Sequence, residues 1–264
     1  MNYTTIAVAI ADAVASVSFN RPEIHNAFNS TVITELLELF KQVGKDKSIR
    51  VVVLTGKGKS FCAGADLNWM RGVISQSFDQ NLAEANALAE LFYTIYTLPQ
   101  PVIARVNGAA IGGGTGFVAV CDLAIAARSA TFSFSEVKIG VVPACIGPYV
   151  VKKIGEGKSR ELFITGERMT AERALQVGLV NQMVEDDQLD TAVDQYVQSI
   201  VSSGPEAVAM AKKLVAEVPN MTPEQFRPYT AEMIARLRIS DEGQEGMDAF
   251  LNKRAASWVK PKSK

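Results

Sequence analysis

Short apolar runs alternate with longer stretches of amphipathic periodicity along the first half of the chain. Residues 4–19 place small and branched apolar residues on either side of a polar position at Asp12, which predicts a two-stranded hairpin that ends before Pro22. The stretch NSTVITELLELFKQV then repeats apolar residues at helical spacing, and Asn29 or Ser30 can cap the predicted helix.

Two apolar segments rich in β-branched residues, RVVVLTG and PVIARVNG, follow this helix and predict strands that are buried on both faces. A second helix, predicted from Asp79 to Thr97, lies between them, and the shorter runs DLAIAA and TFSF predict two further strands. Strands that alternate with helices in this way imply crossover connections and a mainly parallel sheet.

The pattern becomes helical from about residue 145 onward. The segments predicted to be helical are IGPYVVKKIG, SRELFITG, TAERALQVG, the run from Leu189 to Val201, PEAVAMAKKLVAEV, TPEQFRPYTAEMIARLR and DEGQEGMDAFLNKRAASW. Neither a Gly/Ser/Pro-rich linker nor an internal repeat divides the chain. We therefore expect an α/β core over residues 1–200 and a helical C-terminal region over residues 201–264, which packs on the core or on a neighbouring subunit.

Composition narrows the class of protein. The 264 residues carry 27 Lys+Arg against 28 Asp+Glu, and this balance argues against nucleic acid as a partner. The three cysteines are far apart and in apolar contexts, which indicates neither a disulfide framework nor a metal site and is typical of a reducing cytoplasm. The N-terminus lacks a signal-peptide pattern, and no apolar run has the length of a membrane span. We expect a cytoplasmic protein with no membrane partner.

Two glycine-containing segments stand at predicted strand-to-helix junctions, GKGKSFCAGADLNWM and ARVNGAAIGGGTGFVAVCD. Neither has the spacing of a phosphate-binding loop. Glycine at a helix start exposes backbone N–H groups, so one N–H from each segment could form an oxyanion hole for a polarised carbonyl. Close packing of backbone on backbone would require the same glycines, and each segment taken alone favours that simpler explanation.

Six segments, taken in order, carry a stronger signal. FNRPEIHNAFN, GKSFCAGADLNWM, PVIARVNGAAIGGGTG, CDLAIAARSATFSFSEVKIGVVPA, ERALQVGLVNQMV and DEGQEGMDAFLNKR resemble, over nearly the whole chain, the enoyl-CoA hydratase/isomerase (crotonase) superfamily. The resemblance implies an α/β fold, a spiral of ββα repeats, with C-terminal helices that help to form trimers or hexamers. It also implies an acyl-CoA thioester substrate, whose coenzyme A is part of the substrate, and no separate cofactor or metal.

The resemblance assigns roles to particular residues. The oxyanion hole would consist of the backbone N–H groups of Ala65 and Gly113, which polarise the thioester carbonyl. The segment AGADLN would border the coenzyme A, and the C-terminal helix would contact it, in some relatives across a subunit boundary. The substrate-binding residues implied in this way are Ala63, Asp66, Leu67, Asn68, Phe250 and Lys253.

The acid residues decide the reaction. Hydratases of the superfamily usually hold water between two glutamates, of which the second corresponds to Glu136 here and the first falls on Gly116. We expect Glu136 to act as the catalytic acid/base of an enoyl-CoA hydratase. The first alternative is an enoyl-CoA isomerase, which can work with a single glutamate. The second is a non-catalytic acyl-CoA-binding or RNA-associated protein.

Within the superfamily, AGADLNWMR, GGGTGFVAVCD and SEVKIGVVPACIGPYVV resemble the branch that hydrates branched, carboxylated enoyl-CoAs such as 3-methylglutaconyl-CoA or carboxygeranoyl-CoA. In this hypothesis Gly116 leaves room for the substrate's own carboxylate and avoids like-charge repulsion. Arg71 is a candidate partner for that carboxylate, although a solvated helix position is the simpler explanation for it.

The remaining conspicuous residues have simpler explanations. His25, the only histidine, is predicted to contact ligand or to pack rather than to transfer protons. Asp66 and Asp122 suit helix caps or turns better than catalysis, and Lys57 to Lys59 suit a solvated turn. Each of the three cysteines, Cys62, Cys121 and Cys145, is predicted to fill the core.

Overall fold

Two β-sheets and ten helices make up the part of the chain that the computed structural model describes, residues 3–259. The ten strands are β1 (Ile6–Ala11), β2 (Val14–Phe19), β3 (Val51–Gly56), β4 (Ser60–Cys62), β5 (Val102–Val106), β6 (Ala109–Ile111), β7 (Leu123–Ala127), β8 (Thr131–Ser133), β9 (Arg168–Thr170) and β10 (Gln182–Val184). The helices are α1 (Ser30–Val43), α2 (Leu67–Val73), α3 (Phe78–Thr97), α4 (Gly113–Val120), α5 (Gly147–Thr165), α6 (Ala171–Gln176), α7 (Leu189–Val201), α8 (Pro205–Glu217), α9 (Pro223–Ile239) and α10 (Asp241–Leu251).

The larger sheet has the strand order β1-β2-β3-β5-β7-β10. Only the β1–β2 hairpin is antiparallel, while β2 to β10 pair in parallel along the rest of the sheet. The predicted hairpin and the mainly parallel sheet are therefore confirmed. Asn29 caps α1 by accepting a hydrogen bond from the Val32 N–H, so the helix begins where its sequence predicts.

The smaller sheet has the order β4-β6-β8-β9, and β4, β6 and β8 run parallel. Each of these short strands follows a strand of the larger sheet, so β3-β4, β5-β6 and β7-β8 form successive turns of a spiral, each followed by a helix. This is the repeated ββα architecture that the resemblance implies. Because parallel strands end at the same edge of a sheet, the residues after β4, β6 and β8 lie side by side.

Apolar side chains fill both faces of the larger sheet. One core lies between the two sheets and helices α1, α3 and α4, and it contains the fully buried rings of Phe19, Phe61, Phe92 and Phe117. A smaller core on the opposite face joins residues such as Val51 of β3 to α7. The β-branched strands are buried on both sides, as their composition predicts.

Two short strands that the sequence did not predict, Arg168–Thr170 and Gln182–Val184, lie between the predicted helical segments after residue 145. Strand β10 extends the larger sheet beside β7, and β9 closes the smaller sheet against β8. Each strand has three residues, which is too short for alternation to be visible in the sequence. The two predicted helical segments around Gly155 form one element, α5, with a kink at that glycine.

The C-terminal helices pack loosely on the described core. Only Met233 of α9 and Ala249 of α10 are buried, and every side chain of α8 is partly or fully exposed. Several large apolar side chains on these helices face outward, among them Val215, Ile239 and Phe250. Among the described helices, none combines the length and apolar character needed to cross a bilayer.

Candidate active site

A cavity of about 400 Å³ opens where the smaller sheet ends. The segments that follow β4, β6 and β8 each supply part of its wall, and they contribute Ala65, Gly113 and Glu136 respectively. The lining also includes Phe28, Ala63, Leu67, Trp69, Gly112, Cys145 and Ile146. The three residues predicted to carry the chemistry therefore reach one cavity from three separate turns of the spiral.

The Ala65 loop is held by backbone hydrogen bonds on both sides of the alanine. Phe28 donates its N–H to the Gly64 carbonyl at 2.8 Å, and its carbonyl accepts from the Asp66 N–H at 2.8 Å. Within residues 3–259 the Ala65 N–H itself has no protein acceptor. Because Ala65 lines the cavity, this donor is available to a ligand oxygen.

The second donor stands at the start of α4. Gly112 precedes the helix with φ 53° and ψ −124°, a conformation that favours glycine, and its N–H donates to Ser133. Gly113 is the first residue of α4, so its N–H precedes the helical hydrogen-bond ladder, and it has no protein acceptor in the described chain. The positive end of the helix dipole adds to the attraction for a developing negative charge.

Glu136 lies in a short 3-10 turn, Ser135–Ile139, that begins two residues after β8. Its carboxylate faces the glycine run, because a Cβ placed on Gly112 would lie 3.3 Å from Glu136 Oε1. The Oε2 atom is buried without a hydrogen-bond partner among the described residues. Burial raises the pKa of Glu136, and a hydrogen bond that its carboxyl group accepts from its own backbone N–H offsets only part of this effect. A carboxyl group tuned in this direction suits proton transfer near neutral pH.

Gly116 lies inside the protein, one turn along α4, and outside the cavity lining. A Cβ at this position would lie 2.1 Å from Ile146 Cγ2 and 3.3 Å from the Phe92 ring. The hypothesis that Gly116 leaves room for a substrate carboxylate is therefore wrong, because the side chain of Ile146 fills that space. Where a second carboxylate would stand, this cavity has an apolar wall.

Several residues that were predicted to bind substrate do not line the cavity of this chain. The Asp66 side chain caps α2 by accepting from the Asn68 and Trp69 N–H groups and forms an ion pair with Arg21 at 2.7 Å. Burial opposes ionisation of Asp66, but these hydrogen bonds outweigh it and hold its pKa below the usual range. The expectation that Asp66 is a helix cap is confirmed, and direct substrate contact would require its buried side chain to move.

Asn68, Phe250 and Lys253 also lie outside the cavity lining. The Asn68 side chain accepts a hydrogen bond from Arg71, and Arg71 is exposed on α2, so this arginine is not a partner for a carboxylate inside the cavity. Phe250 is 84% exposed at the end of α10. Ala63 and Leu67, by contrast, line the cavity.

Most residues for which the sequence predicts a structural rather than a catalytic role have such a role in the structure. His25 Nδ1 lies 3.1 Å from Ser60 Oγ in a loop turn, and Cys62 and Cys121 are buried in the core. Asp122 accepts from the Val102 N–H and pairs with Lys212, so it joins elements rather than catalysing. The prediction that Cys145 fills the core is wrong, because this residue is only half-buried and lines the cavity.

Sequence reasoning missed three side chains that shape the cavity, namely Phe28, Trp69 and Ile146. Trp69 packs on Phe28 with ring centroids 5.8 Å apart and donates its indole N–H to Glu84 on α3 at 2.9 Å. Phe28 and Trp69 stand inside the two motifs FNRPEIHNAFN and AGADLNWM, which is the only signal that pointed toward them. Ile146 carries no signal, since its importance depends on a contact with Gly116.

The fold and the cavity together define a class of protein. Two free backbone N–H groups and one half-buried carboxyl group face the same apolar cavity at the edge of an α/β spiral. The two N–H groups can polarise a carbonyl, and the carboxyl group can transfer a proton to or from the carbon next to that carbonyl. The class of protein is therefore an enzyme that stabilises an oxyanion beside such a carbon.

Comparison with known proteins gives the family. Residues 9–261 match the family described as Enoyl-CoA hydratase/isomerase, and the chain belongs to it. A crotonyl-CoA hydratase from Syntrophomonas wolfei is 31% identical over 262 residues, which cover 98% of this chain and 99% of that protein. The crystal structure of an enoyl-CoA hydratase from Shewanella pealeana has a TM-score of 0.94 at 36% identity, with 97% of this chain and 96% of that one covered. That of an enoyl-CoA hydratase/isomerase from Marinobacter aquaeolei has a TM-score of 0.93 at 33% identity, with 97% and 99% covered.

Proposed function

We propose that this protein is an enoyl-CoA hydratase that adds water to a 2-enoyl-CoA thioester with Glu136 as its single acid/base. The observation that carries the proposal is the placement of the Glu136 carboxyl group, whose Oε2 is buried without a partner among the described residues, beside two free N–H groups in one cavity. The names of the related hydratases from Syntrophomonas wolfei and Shewanella pealeana support the same reaction.

In the proposed reaction the ionised Glu136 accepts a proton from water while the water oxygen bonds to Cβ of the substrate. The electrons of the Cα=Cβ bond move toward the thioester oxygen and form an enolate, to which Ala65 and Gly113 donate their N–H groups. The enolate then collapses, Cα takes the proton from Glu136, and the carboxylate is regenerated. One oxyanion donor is typically worth about 10²–10³-fold in kcat, so two donors supply a large share of the rate.

The wall of the cavity favours an uncharged acyl chain. Within residues 3–259 the lining contains neither lysine nor arginine, and the space beside Gly116 is occupied by Ile146. A carboxylated substrate such as 3-methylglutaconyl-CoA would place an unpaired charge against this apolar wall, which is costly. We therefore propose a linear or methyl-branched 2-enoyl-CoA as substrate, in preference to a carboxylated one.

A substrate panel tests this proposal. Crotonyl-CoA and 2-hexenoyl-CoA are expected to lose their conjugated enoyl absorbance with a kcat/KM at least about tenfold above that of 3-methylglutaconyl-CoA, since a tenfold ratio needs only about 1.4 kcal/mol. A preference for 3-methylglutaconyl-CoA would overturn the assignment of an uncharged chain. If 3-hexenoyl-CoA gains conjugated absorbance while crotonyl-CoA is not hydrated, the enzyme is an isomerase and the hydratase proposal fails.

We further propose that the chain self-associates through the C-terminal helices, as a trimer or hexamer. Val215, Ile239, Phe250 and Leu251 expose large apolar side chains there, and exposed apolar surface that gathers in one region is typical of a subunit interface. Light scattering is expected to give a mass of three or six times 28.5 kDa. The double variant Phe250→Asp/Leu251→Asp should shift toward the monomer, whereas Ile74→Asp, which charges an exposed apolar side chain elsewhere, should not. A monomeric wild type would contradict the proposal.

A further inference from the structure

Phe28 is a buried aromatic residue between the two loops that carry the backbone donors of the cavity. It stands between the 3-10 turn Pro22–Ile24 and α1, and its side chain is 2% exposed. Its ring lines the cavity, although it offers no polar group to a substrate. Any effect of Phe28 on the cavity must therefore come from the groups that it contacts.

The backbone of Phe28 pairs with the first donor loop. Its N–H and C=O form hydrogen bonds with Gly64 and Asp66, both at 2.8 Å, so Phe28 and Ala65 make an isolated parallel bridge. These two bonds engage the residues before and after Ala65 and leave the Ala65 N–H directed away from the bridge. In an extended bridge, pairing of the neighbouring peptide groups determines the direction of the one between them.

The ring of Phe28 packs on the second donor. A Cβ placed on Gly113 would lie 2.7 Å from Phe28 Cε1 and 2.8 Å from Cζ, which is closer than real Cβ contacts come. The bare Cα of Gly113 therefore rests against the aromatic ring, and the ring limits how far the start of α4 can approach the Ala65 loop. One residue thus contacts both donor loops, the first through its backbone and the second through its side chain.

Neighbouring groups restrict Phe28 itself. Its ring meets Phe117 of α4 edge-on at 5.7 Å and Trp69 at 5.8 Å. The preceding residue, Ala27, accepts a hydrogen bond from Arg21 at 2.7 Å, and the same guanidinium pairs with Asp66. The Phe28 segment and the Ala65 loop are therefore joined by backbone bonds and by a shared arginine, in a part of the protein where packing leaves few alternative positions.

We infer that Phe28 is a positioning residue of the active site, which sets the separation and direction of the Ala65 and Gly113 N–H groups. The inference rests on the proposed function, because the separation matters only if both groups donate to one thioester oxygen. Hydrogen bonds to a developing oxyanion weaken steeply with distance and angle, so a small displacement of either loop lowers the rate. Binding of the coenzyme A portion of the substrate does not depend on the separation of these two N–H groups, so its contribution to the affinity should persist.

The first measurement compares Phe28→Leu with the wild type on crotonyl-CoA. We expect kcat to fall by about 10- to 100-fold while KM changes by less than about threefold, since the variant weakens an interaction that is strongest in the transition state. Phe40→Leu is the matched control, because Phe40 is equally buried on α1 and lies outside the cavity lining. It should lower the unfolding midpoint by a similar amount and leave kcat within about twofold. Phe28→Met serves if Phe28→Leu is not recovered as folded protein.

The second measurement reads the oxyanion hole directly. Butyryl-CoA labelled with ¹³C at the thioester carbonyl binds without reacting, and its C=O stretch should shift to lower frequency in the wild type and in Phe40→Leu. In Phe28→Leu or Phe28→Met most of this shift should be lost. If the wild type shows the shift and the Phe28 variants retain it together with wild-type kcat, the positioning role is wrong. If the wild type itself shows no shift, the proposed oxyanion hole fails instead.

Discussion

Glu136→Gln is expected to lower kcat for crotonyl-CoA by about 10²–10⁴-fold, the range that a single general acid/base contributes. The loss should be at the upper end, because Glu136 carries the only carboxyl group among the described residues that line the cavity. Glutamine has nearly the same shape, so KM for the thioester should change little. Steady-state hydration assays on both proteins measure the two constants separately.

Glu172→Gln is the matched control for this prediction, since Glu172 is an exposed carboxylate on α6, outside the cavity. It should keep kcat within about twofold of the wild type, as surface substitutions usually do. If Glu136→Gln retains both acyl-CoA binding and full hydration, Glu136 is not the acid/base, and the non-catalytic alternative gains support.

The pH dependence of the wild type should report the same carboxyl group. Glu136 must be ionised to accept a proton from water, and burial raises its pKa, so the acid limb of kcat/KM should lie above the pKa of an ordinary glutamate.

The same group should make the folded state less stable as the pH rises, whereas activity increases with pH over this range. A carboxyl group whose pKa is raised in the folded state stabilises that state at low pH and loses this contribution as the pH rises through the raised pKa. The unfolding midpoint of Glu136→Gln relative to the wild type should therefore increase with pH.

The helices and strands that could be predicted from the sequence are those with a long local pattern. Helix α1 repeats its apolar residues over several turns and begins at Asn29, a residue whose capping bond needs only its near neighbours. Strand β3 is a run of β-branched residues that can only be buried on both faces. Strands β9 and β10 could not be predicted in this way, because each has only three residues, which is too few to show a local pattern.

The same difference separates the predicted and unpredicted parts of the site. Motifs identified Ala65, Gly113 and Glu136, and each of them follows directly on a short strand whose end faces the cavity. Motifs could not show what stands beside Gly116, since the contact with Ile146 joins residues that are thirty positions apart and depends on how α4 packs against the start of α5. A glycine in a sequence shows that a side chain is missing, but only the structure shows what occupies its place.

Gly116→Glu should strongly destabilise the folded protein. Its Cβ would overlap Ile146 Cγ2 at 2.1 Å, and its carboxylate would be buried against apolar groups. Overpacking and a buried unpaired charge together should cost about 3 kcal/mol or more, which lowers the unfolding midpoint by at least about 6 °C in a chain of this size. Gly157→Glu is the matched control, since a Cβ at Gly157 meets nothing within 4 Å, and its midpoint should change little.

The double variant Gly116→Glu/Ile146→Gly tests whether Ile146 is the cause. Ile146 is the N-cap residue of α5, a position that tolerates glycine, and its removal opens the space that the new side chain needs. We expect the double variant to unfold at a higher temperature than Gly116→Glu alone, a non-additive result that is typical of residues in direct contact. If Gly116→Glu is as stable as Gly157→Glu, or if Ile146→Gly gives no recovery, then Ile146 is not what excludes a second acid from this site.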